Sequence, residues 1–151
     1  MNSRRLLAAC VLAACAGIAA CGSKSSTPTA PSGTASVQAT NSPNPAPWSG
    51  APITALPECA GFANTWFFNT VLAETAGVAV NLTSQVNVLD GAERPAVISN
   101  ILVSARGTTT LNRQFCFVGA NQHTVQSTFT GNDANGHSIT VSTPIVTLSA
   151  R

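Results

Sequence analysis

Apolar and polar positions alternate with a period of two along most of the chain beyond residue 60. Trp66, Phe68, Thr70 and Leu72 share one parity. Val78, Val80 and Leu82 form a second run, with Val86 and Val88 continuing its phase, followed by Leu111, Phe115 and Phe117, then Val125 and Phe129, then Ile139 and Val141. Successive side chains of an extended strand point to opposite faces, so each run reads as a strand with one face in a core. No stripe of helical period is sustained over a useful length. Turn signals fall between the runs: Glu74-Thr75-Ala76-Gly77, Asp90-Gly91, Arg106-Gly107, Gly119-Ala120-Asn121 and Gly131 to Gly136. The pattern predicts an all-β domain over 51–151, an antiparallel sandwich of about seven strands. Segment 97–104 fits a strand or a short helix and is taken as a strand. Near the end, Val146 and Leu148 take the opposite parity to Ile139 and Val141, and Pro144 between them cannot donate to a ladder. That marks a bulge or an edge.

The first part of the chain has a different texture. Two arginines, Arg4 and Arg5, precede an apolar run from Leu6 to Ala20. A run of that length is shorter than the ~20 residues a permanent transmembrane helix needs, and it has the form of a signal peptide. Its end, Ile18-Ala19-Ala20-Cys21-Gly22, resembles the lipobox of bacterial lipoprotein precursors. That resemblance implies cleavage after residue 20, lipid on the Cys21 thiol and a mature chain held to a membrane by its N-terminus. Cys15, which follows Leu12-Ala13-Ala14, remains an alternative acceptor. Gly22, where an aspartate would retain the protein at the inner membrane, points by the same family's sorting rule to the outer membrane of the cell envelope. From 22 to 50 the chain holds 19 Ser, Thr, Pro and Gly in 29 residues. This composition reads as a disordered linker, with Trp48 packing on the domain edge.

Charge narrows the function classes. Without Arg4 and Arg5, five basic residues face five acidic ones, so the mature chain is formally neutral and lacks the basic stripe that nucleic-acid binding requires. Of the five cysteines, Cys10 and Cys15 leave with the leader and Cys21 carries lipid, which leaves Cys59 and Cys116 as a disulfide in an oxidising compartment.

The run from Phe129 to His137 and the stretch from Trp66 to Gly77 resemble parts of bacterial immunoglobulin-like domains. The resemblance implies an immunoglobulin-like sandwich and no particular activity. The cysteines do not bracket a core tryptophan, so Cys59 is expected to pin the segment before the first predicted strand to the strand of Cys116.

Candidate chemistry is sparse. His123, Asp133 and His137 make a conceivable metal set of two nitrogens and one oxygen, if His123 approaches across the last hairpin; the same residues serve equally as turn and strand-end positions, and no metal is expected. No nucleophile elbow or phosphate-cradling loop is present, so neither catalysis nor a cofactor is expected. Trp66-Phe67-Phe68 is the most suggestive surface candidate, because Phe67 points away from the face shared by its neighbours. Trp66 and Phe67 are therefore the candidate contacts for a glycan or protein partner if one of the rings is exposed; the alternative is that a loop or the 51–62 segment covers Phe67 and the triplet serves packing. The expectation is a non-enzymatic, monomeric, lipid-anchored envelope module that binds or supports a partner.

Overall fold

The strand-forming runs become nine strands in a computed structural model that describes residues 32–151. The leader 1–20 and Cys21 lie outside the described residues. One sheet holds β1 (Val37–Ser42), β2 (Asn64–Glu74) and β6 (Thr108–Phe117) in the order β1-β2-β6, all antiparallel. The second holds β3 (Val80–Leu89), β4 (Ala92–Glu93), β5 (Val97–Val103), β7 (His123–Asp133), β8 (Ser138–Ser142) and β9 (Val146–Leu148). There β3 pairs with β7 on one side and with β4 and β5 on the other, and β7 pairs with β8 and β9 on its far side. The chain changes sheets after β2, after β5 and after β6, which gives the antiparallel, Greek-key arrangement of an immunoglobulin-like sandwich.

Between the sheets the apolar residues form two clusters. Leu72, Val80, Leu82, Val103 and Phe129 centre one, and Trp66, Phe68, Val125, Val146 and Leu148 the other. A polar layer separates them, made of Thr70, Gln85, Ser127 and Thr143, all buried. The inward parity of 66, 68, 70 and 72 matches the sequence expectation. So do Ile139 and Val141 followed by Val146 and Leu148, buried in both phases because the chain breaks at Thr143–Ile145 between two strands that pair with the same partner. Segment 97–104 is a strand. Its phase is obscure in the sequence because Val103 points into the core while Ile98 and Leu102 are exposed.

Two expectations are corrected. The stretch 35–50, assigned by composition to the linker, belongs to the sandwich. Val37 and Ala39 pack against the first cluster, and β1 pairs along its full length with β2. The chain then crosses to the second sheet, where Ala46 N–H donates to Thr147 O (2.8 Å) and Ser149 N–H to Ala46 O (2.9 Å). It returns to place Trp48 beside Trp66. Proline is compatible with such an edge segment because the ladder does not need every N–H there. The second correction concerns β3. Its register against β7 shifts between Leu82 and Ser84, so one extra residue enters the strand and the phase inverts. Val86 and Val88, expected inward, face outward, and Gln85, Asn87 and Leu89 take the inner positions opposite Phe129, Ser127 and Val125. Gly131 sits opposite the bulge, where a Cβ would lie 2.6 Å from Leu82 Cα, so no side chain fits.

Two buried carboxylates fix the end of the sandwich at which the chain enters. Glu74 accepts N–H groups from Ser36 (3.2 Å), Ala76 (2.7 Å), Gly77 (2.7 Å) and Arg106 (2.8 Å), tying β1 to two turns. Asp133 accepts from Ala35 N (3.0 Å), Asn135 N (2.9 Å) and His137 N (2.9 Å). Burial raises both pKa values, but the converging donors outweigh it and leave each carboxyl at about 2. At the other end of the first sheet, Cys59, in a single 3-10 turn (Pro57–Cys59), is bonded to Cys116 on β6, as expected.

Both features generate tests. Folded-state pKa values of about 2, below the ordinary 4.5 and 3.8, mean that the unfolded chain takes up protons first as pH falls. The stability these groups confer is thus complete above those ordinary values and is lost between them and about pH 2. Glu74→Gln and Asp133→Asn should each flatten the acid limb of melting temperature against pH, and an acid limb unchanged in both variants would contradict the assignment. The Cys59–Cys116 bridge closes 57 residues and restricts the unfolded chain by about 4 kcal/mol. Cys116→Ser should therefore lower the non-reducing melting temperature by about 10–20 °C.

Candidate functional site

The two edges of the sandwich are treated differently. On one side the segment 43–49 bridges β1 and β9, helped by the Asn44 side chain bonding Ile145 O (2.9 Å) and Thr147 N (3.1 Å). On the other side β6 is the free edge of its sheet and β5 the edge of the facing one. These strands touch near their shared turn, where Thr109 Oγ1 donates to Leu102 O (2.7 Å), and a cleft of about 600 Å³ opens beyond. That volume lies within the range of small-molecule sites. The Pro57–Cys59 turn, held by the disulfide, forms one wall with Ala55, Leu56 and Glu58; Leu89, Val97 and Phe115 give it an apolar lining.

Arg113 lies on this cleft. It shares the inward parity of Leu111, Phe115 and Phe117 on β6, so its side chain enters the space between the sheets. Nη1 donates to Gln85 Oε1 (3.0 Å), and Nη2 to Asn87 Oδ1 (3.1 Å) and, at longer range, Ser127 Oγ (3.3 Å). The guanidinium carbon stands 5.6 Å from the Phe115 ring centroid. Gln85, Asn87 and Ser127 are themselves cross-bonded at 2.7 Å. All of these acceptors are neutral. The ion pairs among the described residues join His123 to Asp90 and His137 to Asp133, so no carboxylate there is paired with Arg113. Its Nε is buried with no hydrogen-bond partner among the described residues. Burial lowers the guanidinium pKa below its ordinary value, and with no anion to counter it the charge is held by dipoles alone. Taking a cation out of water costs several kcal/mol, whereas hydrogen bonds to a charged group return about 1.5–3 kcal/mol each, so three bonds to amide and hydroxyl oxygens roughly offset the burial. A carboxylate in fork geometry would bind such a group more strongly than any neutral acceptor.

The expected site residues are dispersed. Trp66 is fully buried, with Nε1 donating to Ser149 O (2.9 Å), and offers no surface. A strand residue flanked by Thr65 and Phe67 on the outer face must itself face the core, and the partner sheet covers it. Phe67 is half-buried on the outer face, opposite Gln114, in a shallow depression with Pro43 and Asn69. Trp48 packs on the domain edge as expected, its Nε1 directed to Asn64 Oδ1 (3.3 Å) and Arg151 above its ring at 4.7 Å.

His123 and His137 do not meet. They flank opposite ends of β7, because His123 is paired with Leu148 of β9 rather than with the hairpin of His137. Asp133 and His137 do lie together, with Oδ2 3.0 Å from Nδ1. His123 instead bonds Asp90 through Nδ1 (2.7 Å) and stacks on Phe117 with centroids 3.9 Å apart. Burial raises the Asp90 pKa, yet the bonds from His123 and Thr124 leave it below its ordinary value. The His123 Nε2 is buried without a partner among the described residues. Among those residues no three metal-ligating side chains come together.

Sequence reading missed Arg113, Gln85 and Asn87. For Arg113 the signal was present, since parity alone places 113 inward between 111 and 115. For Gln85 and Asn87 it was hidden by the bulge.

No protein-family model matches the chain, and no curated protein matches its sequence. Solved structures do resemble it. A Bordetella pertussis protein assigned as ApaA is 15% identical, with a TM-score of 0.51 over 77% of this chain and 93% of that one. A structural-genomics target, SoR45, is 7% identical, with a TM-score of 0.50 over 78% and 87%. The CARDB domain of a Pyrococcus furiosus protein is 10% identical, with a TM-score of 0.45 over 78% and 98%. At such identities the first two likenesses speak to fold alone; the strand order itself is that of an antiparallel, immunoglobulin-like β-sandwich.

Proposed function

We propose that this protein is a lipid-anchored module of a bacterial cell envelope that presents an immunoglobulin-like sandwich as a non-catalytic binding or supporting domain. The observation that carries the reading is polarity. The chain enters the sandwich at Ala35, at the end fixed by Glu74 and Asp133, whereas the cleft lies beside Asn112–Cys116 and Leu89, in the half toward the other end. An N-terminal lipid on Cys21 would thus hold the entry end toward the membrane and leave the cleft outward. With 35–50 folded into the domain, 13 residues, 22–34, separate Cys21 from the sandwich. The cross-bonding suits presentation, since the bridged edge and the buried carboxylates hold the two sheets together and the disulfide holds the Pro57–Cys59 turn on β6.

A second reading, a glycan-binding accessory domain, rests on Phe67, half-buried in its outer-face depression and open on one side for ring stacking. Metabolic labelling with a fatty acid, followed by detergent-phase partition, tests the anchor. Wild type should carry label and enter the detergent phase, Cys21→Ser should do neither, and Cys15→Ser should behave as wild type. Label retained in Cys21→Ser would overturn the assignment of the lipid to that residue.

A further inference from the structure

We infer that the open edge of the sandwich is a binding site for the carboxylate of a small ligand with an apolar body, such as the C-terminus of a peptide, with Arg113 as its anchor. The inference deepens the binding reading above and rests on it.

Three observations converge on this chemistry. The first is charge: Arg113 is a largely buried cation whose described partners are Gln85, Asn87 and Ser127, all neutral, so within the cleft it has no carboxylate paired with it, and Glu58 of the wall is not in contact with it. The second is position, because the Arg113 side chain lines the cleft, and a planar guanidinium is the group matched to the two oxygens of a carboxylate. The third is the lining. Leu56, Leu89, Val97 and Phe115 line the cleft that Arg113 enters with apolar surface, which suits an aliphatic or aromatic side chain beside the carboxylate and disfavours a fully hydroxylated sugar acid. The strand geometry fits a peptide end as well, since β6 is an edge strand and the residues Asn112–Cys116 run along the cleft.

Binding would exchange one neutral acceptor for an anion. The Arg113 head would keep its stack on Phe115 and turn one pair of N–H groups to the ligand, while the amides of Asn112 and Gln114 on the strand edge are placed to meet the remaining polar atoms of the ligand. Glu58, at the rim, is the one carboxylate of the cleft wall and sets a negative threshold that an incoming anion must pass. Removing it should tighten binding. The wall that carries Glu58 and Leu56 is fixed by the Cys59–Cys116 bridge, so the oxidised protein is the binding form.

The test uses the full chain purified from membranes in detergent micelles, with N-acetyl-leucine as probe and two controls, its neutral amide and glucuronate. A saturable rise in melting temperature with N-acetyl-leucine, and with neither control, is expected. Arg113→Met, which keeps the aliphatic volume, should weaken binding by about 30-fold or more. Because Arg113 also joins the sheets, a second variant is needed: Ala55→Trp fills the mouth of the cleft from an exposed position, and it should abolish the shift while leaving the ligand-free melting temperature unchanged. Glu58→Gln should tighten binding several-fold. No saturable shift up to about 10 mM, equal binding of the amide or of glucuronate, or binding retained in both Arg113→Met and Ala55→Trp would overturn the proposal. The two readings fail separately: lipid attachment is scored by labelling of Cys21, so a negative ligand result leaves the anchored supporting module standing, and a misplaced lipid leaves the binding result untouched.

Discussion

A guanidinium held between two β-sheets by neutral oxygens is the constraint around which this domain is organised. Arg113 rises from β6 and reaches β3 and β7 of the opposite sheet, so it ties the layers where the apolar packing is interrupted. The core cannot be continuous across such a group. It is divided into one cluster around Leu82 and Phe129 and another around Trp66 and Leu148, with Gln85, Asn87, Ser127 and Thr70 in the seam. Gln85, Asn87 and Ser127 are the acceptors that make a buried cation tolerable, and the bulge in β3 is what turns two of them inward. Without the extra residue between Leu82 and Ser84, Val86 and Val88 would face the seam and Arg113 would meet hydrocarbon.

The asymmetry of the edges follows from the same arrangement. On the side of β1 and β9 the segment 43–49 closes the gap with backbone bonds to Thr147 and Ser149. Beside Arg113 the gap stays open, and the disulfide-anchored turn Pro57–Cys59 forms a wall instead of a lid. A covalent cross-link is well suited to that place, because a short turn laid across an edge strand buries too little apolar surface to hold itself there. Reading the sandwich as a presenting module thus joins three features: entry of the chain at one end, a bridged edge on one side, and an open cleft lined by an unpaired guanidinium on the other.

Much of the fold was legible in the sequence, and the failures have physical causes. Alternation located β2, β6, β7 and the last two strands, because each has one apolar face and one polar face. The pairing of Cys59 with Cys116 followed from counting. Composition misled at 35–50, where Ser, Thr and Pro suggested a linker although Val37 and Ala39 already alternate with Gln38 and Thr40. A bulge cannot be seen from alternation when apolar and polar residues alternate on both sides of it, as Val80-Asn81-Leu82 and Gln85-Val86-Asn87-Val88 do, so the inner face of β3 was misassigned. The candidate site was barely legible. Attention to aromatic and metal-ligating types favoured Trp66 and the histidines, which serve packing and turn geometry, while the residue that gives the cleft its charge stood in the middle of an apolar run on the inward parity.

The measurement that tests this account most directly is the solvent exchange of the Arg113 Nε–H resonance by NMR, beside that of the exposed Arg94. A guanidinium enclosed between the sheets must show an Arg113 signal that exchanges far more slowly than that of Arg94 at neutral pH. An Arg113 signal exchanging as fast as Arg94 would mean that the side chain lies in water, and neither the polar seam nor the charged cleft would survive that result.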